Sequence, residues 1–79
     1  MRKMTKEIEG KVFREIRIRK VNQQEDYKKG FFWQTHSKHE NGMTGYLQGL
    51  LDAGFKEEQI NPILDRADSD VNKLYGLTE

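Results

Sequence analysis

The chain has 79 residues, a net charge of +1, 34% hydrophobic and 34% charged residues, and no cysteine. That length supports one domain with a small core, since two cores would each fall below the size at which burial offsets chain entropy. The missing cysteines exclude disulfide stapling and thiolate zinc sites and fit a reducing, cytoplasmic setting, while four Phe, three Tyr and one Trp argue against a disordered chain.

The near-neutral total hides an asymmetry. Residues 1–38 carry eleven Lys/Arg against five Asp/Glu, and residues 39–79 carry three against eight. Oppositely charged halves attract each other within one domain, drive head-to-tail self-association, or leave the basic half to meet an acidic partner such as nucleic acid. No apolar run approaches the roughly 20 residues that span a bilayer, and "MRKMTKEIEG" lacks the apolar stretch of a signal peptide. A soluble protein that is not exported and has no membrane contact is expected.

Residues 1–10 are expected to fray. The stretch "KVFREIRIRKV" (11–21) fits two periods. Ile8, Val12 and Ile16 would line a helix at four-residue spacing, but Ile18 breaks that stripe, and the alternation of β-branched residues with arginines predicts a strand ending near Val21. "NQQEDYKKG" then reads as a surface connection closed by Gly30, and "FFWQTHS" as a second strand. In that strand Phe31 and Trp33 would share one face and Phe32 the other, with the bulkier pair turned inward and Phe32 left for a partner.

"SKHENGMTG" reads as a polar breaker with an Asn41-Gly42 turn, after which Thr44 caps a helix carrying Tyr46, Leu47, Leu50 and Leu51 on one stripe and stopping at Gly54. Glu57 and Glu58 suit the start of a second short helix with Ile60, Ile63 and Leu64. Pro62 argues for a later start, with Asn61 as N-cap. Asp68 or Ser69 would cap a third helix with Val71, Leu74 and Tyr75. The predicted fold is therefore α+β: an N-terminal antiparallel β-hairpin, the basic β-ribbon of residues 11–38, packed on a C-terminal bundle of three short helices in an acidic part, 44–77.

In residues 46–77, Ala53-Gly54-Phe55, Glu57-Glu58, Ile63-Leu64 and Asp70-Val71 stand in the order in which a ubiquitin-associated (UBA) module sets its first loop, the start and end of its second helix, and the step into its third. The segment resembles that three-helix family. The resemblance implies partner contacts at Gly54, Phe55, Leu74 and Tyr75, and Pro62 is where the chain departs from the pattern.

Constellations for chemistry are sparse. His36 and His39 beside Glu40 have a spacing that suits a metal, but they fall at a strand end and loop with no fourth ligand, so a solvated loop is the expectation. Ser37 has no nucleophile-elbow glycines around it. Asp68, Asp70, Asn72 and Glu79 match positions one, three, five and twelve of a calcium loop, yet Lys73 stands where that loop needs glycine. The glycines form no phosphate loop, and Glu57-Glu58 are accounted for by a helix start. No catalytic site, cofactor or metal is expected, and the chain reads as a non-enzyme.

Two readings of function follow. Eight aromatics exceed what so small a core easily buries, which points to a protein-binding adaptor or inhibitor, of the kind bacteria or their phages encode as short accessory proteins, with Phe32, Trp33, Gly54, Phe55, Leu74 and Tyr75 as contact residues. The alternative is a nucleic-acid-binding ribbon, in which Arg14, Arg17, Arg19, Lys20, Lys28 and Lys29 meet phosphates and aromatics stack on bases.

Overall fold

Ile8, Val12 and Ile16 recur at four-residue spacing, and this stripe, rather than the alternation with arginine, sets the conformation of the first third of the chain. The computed structural model describes residues 2–77, apart from the side chains of residues 32–34. Three helices follow in order: α1 (Lys6–Lys28), α2 (Phe32–Asp52) and α3 (Glu57–Leu74). The expected β-hairpin does not form, and no strand occurs among the described residues. Ile16 is fully buried while Ile18 is 53% exposed. The residue that seemed to break the helical stripe simply lies off it.

Helix α1 starts at Thr5, whose hydroxyl accepts from the Ile8 N–H at 3.2 Å, and Glu7 and Glu9 sit in its first turn, where the dipole favours them. The segment read as a connection, "NQQEDYKKG", is the last two turns of this helix and its stop. Polarity misled there: an outward helix surface needs no apolar residues. Asn41-Gly42 likewise falls in the middle of α2, as does Thr44, so neither marks a turn or a cap.

Helix α3 runs unbroken through the places expected to divide it. It begins at Glu57 and contains Pro62, and neither Asn61 nor Asp68 nor Ser69 caps a helix. The Lys56 N–H donates to Gln59 Oε1 at 2.9 Å, which secures the start ahead of the proline. Pro62 faces solvent, so the Glu58 carbonyl it cannot serve remains open to water. The three helices are thus drawn from the whole chain, and residues 44–77 supply only the end of α2 and α3.

Side-chain pairs fix the directions. Arg66 meets Glu9, Lys20 meets Asp68, Arg17 meets Asp70 and Tyr75 meets Glu25, so α1 and α3 run parallel. Arg19 reaches the Gly42 carbonyl and His39 reaches Asp26, so α2 runs antiparallel to α1 between them in sequence. Helix α1 is the shared wall: Val12 and Ile16 pack with Ile63 and Ala67 of α3, and Met43, Tyr46, Leu47 and Leu50 of α2 close over that cluster. Two of the cross-helix ion pairs, Arg17–Asp70 at 3.2 Å and Lys20–Asp68 at 3.0 Å, join the basic half to the acidic half within one domain. Exposed as they are, each contributes at most about 1 kcal/mol.

Ahead of α1, Arg2 meets the connection between α2 and α3. The Arg2 N–H donates to the Gly54 carbonyl at 2.9 Å, its carbonyl accepts from Gln59 Nε2 at 2.8 Å, and its guanidinium lies 4.9 Å from the centre of the Phe55 ring.

Gly45 and Gly49 lie on the exposed surface of α2, and a Cβ at either would meet no atom within 4 Å. Replacing both with alanine is expected to stabilise the fold by about 1–2 kcal/mol, from helix propensity alone. Denaturant melting measures this, and a loss of stability would mean that the helical path of α2 is wrong there.

Candidate functional site

All three helices end in the same way. Gly30, Gly54 and Gly76 have φ of 85°, 105° and 67°, the left-handed region that glycine enters at no steric cost. In each case the glycine N–H and the N–H of the next residue return to the last turn: Gly30 to Tyr27 and Phe31 to Asp26, Gly54 to Leu51 and Phe55 to Leu50, Gly76 to Lys73 and Leu77 to Asn72. An apolar residue following such a glycine packs back on the helix when the residue that accepts its N–H is itself apolar. For Phe55 that residue is Leu50, and Phe55 is buried. For Phe31 and Leu77 it is Asp26 and Asn72, and these two side chains stay 47% and 54% exposed.

The topology brings both exposed stops to one end of the bundle, where α1 finishes, α2 starts and α3 finishes. Leu74, 58% exposed, joins them there. The Tyr75 hydroxyl donates to Glu25 Oε1 at 2.8 Å and Lys28 Nζ lies 5.8 Å from the centre of its ring, which locks the end of α3 onto the end of α1. His39 Nε2 donates to Asp26 Oδ2 at 2.7 Å, and Tyr27 Oη lies 2.9 Å from His36 Nδ1 while accepting from Gln23 Nε2 at 2.6 Å, which locks α2 on the other side. Lys28, Lys29 and Lys73 surround this end, and among the described residues none of them enters an ion pair.

Of the protein-contact residues expected from sequence, Phe32, Trp33, Leu74 and Tyr75 therefore lie at this end, and Gly54 and Phe55 at the opposite one. Which of Phe32 and Trp33 turns inward lies outside the described side chains; as a strand register the expectation is overturned, because both begin α2. Phe31, expected to be buried, is exposed. Leu77 was missed. Its signal was present: the chain contains the steps Gly30-Phe31, Gly54-Phe55 and Gly76-Leu77, and two of the three follow a polar residue at the accepting position.

The basic residues of the nucleic-acid alternative do not form a ribbon. Arg17 and Lys20 pair with α3, Arg19 pairs with Glu15 at 3.0 Å, and Lys28 lies over Tyr75. At 100° per residue Arg14, Arg17, Lys20, Lys28 and Lys29 fall on one half of the circumference of α1 and its end, and Arg19 falls on the other, with Arg14, Lys28 and Lys29 free of ion pairs among the described residues.

A polar cleft of about 620 Å³ opens between α1 and α2, lined among others by Arg19, Asn22, Lys29, Lys38 and His39. Its two acids are already engaged, Asp26 with His39 and Glu25 with Tyr75. His36 and His39 thus serve helix contacts rather than a loop, and among the described residues no three His, Asp or Glu could hold a metal ion. Asp68, Asp70 and Asn72 are on a helix rather than in a calcium loop, and Glu79 lies outside the described residues.

Partial burial raises the pKa of Tyr46, with nearby Glu15 adding to the effect. Partial burial followed by the hydrogen bond to Glu25 raises that of Tyr75. Both shifts favour the neutral phenol in the fold. The stability they contribute is complete below the ordinary tyrosine value of 10.0 and is lost as pH climbs through the raised values. Melting temperature is expected to fall through that alkaline range and to fall less in Tyr75→Phe. An unchanged slope in that variant would contradict the Tyr75–Glu25 contact.

Among the described residues no helix is long and apolar enough to cross a membrane. Comparison with protein families, with curated proteins and with solved structures finds no match to this chain. The class it defines is that of a small three-helix bundle.

Proposed function

We propose that this chain is a non-enzymatic protein-binding module, an adaptor or inhibitor, that engages its partner through the end of the bundle carrying Phe31, Leu74 and Leu77. The observation that supports this reading is the exposure of three large apolar residues at one end, two of them on helix stops whose accepting residue is polar. Exposed aromatic and aliphatic side chains gathered within a polar rim are what a partner desolvates most profitably. A UBA-like mode of binding would use Gly54, Phe55, Leu74 and Tyr75 together. Leu74 and Tyr75 belong to the proposed surface, whereas the inward position of Phe55 weighs against that finer likeness. The nucleic-acid reading has less support, since Arg17, Arg19 and Lys20 are held in ion pairs and Lys28 lies over Tyr75.

Affinity capture from the native host, with nuclease present, tests the proposal. The chain should retain a protein partner, and Phe31→Ser/Leu74→Ser/Leu77→Ser should lose it while melting like the parent. Retention by the triple variant would overturn the site, and capture abolished by nuclease or by moderate salt would favour nucleic acid.

A further inference from the structure

Residues 35–42, "THSKHENG", run through about two turns of α2 without one apolar side chain. We infer that this segment is a latched section of the helix. It opens from α1 as a unit while the rest of the bundle stays folded, and the His39–Asp26 contact is the latch that holds it shut.

A helical piece this short is held by an apolar face packed on its neighbours, because propensity alone does not sustain it. Here both supports are missing. Thr35, His36, Ser37, His39, Asn41 and Gly42 are weak helix formers, and among the described residues the part α2 takes in the core cluster begins at Met43. What joins the segment to α1 is polar: His39 Nε2 to Asp26 Oδ2 at 2.7 Å, Tyr27 Oη beside His36 Nδ1 at 2.9 Å, and a long 3.4 Å contact from Arg19 to the Gly42 carbonyl. Of these the His39 contact is the strongest candidate for a latch, since its acceptor is a carboxylate and the imidazole is only 14% exposed. The polar cleft between α1 and α2 opens along the same stretch, with Lys38, His39 and Gly42 in its lining. Opening the segment therefore gives up little apolar burial, which is the condition for local rather than global unfolding. The remainder keeps its anchors: Tyr46, Leu47 and Leu50 hold the rest of α2, and Val12, Ile16, Ile63 and Ala67 hold α1 to α3.

Asp26 ties this device to the exposed end of the bundle. Its carboxylate holds His39, and its carbonyl accepts from the Phe31 N–H at 3.0 Å. Opening the latch loosens the turn that presents Phe31, and a partner that needs Phe31 in place favours the closed state through its differential affinity. That consequence rests on the protein-binding reading above, while the opening itself does not.

Amide hydrogen exchange of the full chain, free in solution, tests the inference under conditions where the rate reports the opening equilibrium. Residues 36–42 should be protected, yet should open at least about tenfold more often than residues 12–16 and 63–67, and with little dependence on urea where the core amides depend on it steeply. Ile63→Val, which loosens only the α1–α3 core, should speed the core amides several-fold and leave residues 36–42 unchanged. His39→Ala should speed residues 36–42 about tenfold, even though alanine is the better helix former. Equal acceleration of both sets by Ile63→Val would mean that the segment opens only with the whole bundle, and overturns the inference. So does an absence of protection at residues 36–42, which would leave nothing latched, or a His39→Ala chain that exchanges there like the parent. These readouts need no partner, so failure of the latch and retention of a captured partner by Phe31→Ser/Leu74→Ser/Leu77→Ser are told apart.

Discussion

Ile16→Ala is expected to cost about 2–5 kcal/mol, a large share of the stability of a domain this size, whereas Ile18→Ala should change it by no more than about 0.5 kcal/mol. The two residues are two apart, so any strand places them on one face and predicts similar costs. A helix separates them by 200° and predicts the contrast. Ile16 is fully enclosed by the α1–α3 cluster and leaves a cavity when truncated, while Ile18 projects into solvent. Denaturant melting of the two variants decides the point, and equal losses would restore the strand.

Phe55→Ala should cost about 3–5 kcal/mol, and Phe31→Ala less than about 1 kcal/mol, although both residues follow a left-handed glycine that ends a helix. The difference lies in what each aromatic finds. Phe55 is buried, with Leu50 at the accepting position of its stop and the Arg2 guanidinium over its ring. Phe31 has Asp26 at the corresponding place and stays in solvent. Truncating Phe55 therefore opens the α2–α3 corner and frees residues 2–5, whereas truncating Phe31 removes surface that only a partner would miss. Similar costs for the two would mean that Phe31 also has an internal seat and would remove the main support for the binding surface.

Parts of this were legible from the chain. The stripe Tyr46, Leu47, Leu50, Leu51 and the stop at Gly54 describe the second half of α2 correctly, because there apolar periodicity and a left-handed glycine agree. The first half of the chain was misread for a physical reason. In "KVFREIRIRKV" only Val12 and Ile16 need burial, and Ile18, an exposed β-branched residue, supplied a false second period. "NQQEDYKKG" and "SKHENGMTG" carry no apolar stripe because most of their half-buried positions are polar and meet their neighbours through hydrogen bonds such as His39–Asp26 and Gln23–Tyr27. Pro62 was expected to delay α3, but a proline on the solvent side costs one hydrogen bond and does not stop a helix already secured at Lys56. At the candidate site, Leu74 and Tyr75 were expected from the family resemblance, and Phe32 and Trp33 from the surplus of aromatics over what a small core buries. What joins them, the parallel course of α1 and α3, has no local signal. It becomes visible only through pairs such as Tyr75–Glu25 and Arg17–Asp70, more than fifty positions apart or close to it.

The claim on which the functional reading depends is that the end of α3 lies beside the end of α1 and the start of α2. Because the chain has no cysteine, Lys73→Cys gives a single attachment point for a nitroxide spin label. In a monomeric sample the label should broaden the amide resonances of residues 25–31 strongly and leave those of residues 50–57, at the far end of a molecule 41 Å long, sharp. Broadening confined to α3 itself, or strongest at residues 50–57, would contradict the arrangement and with it the shared surface of Phe31, Leu74 and Leu77.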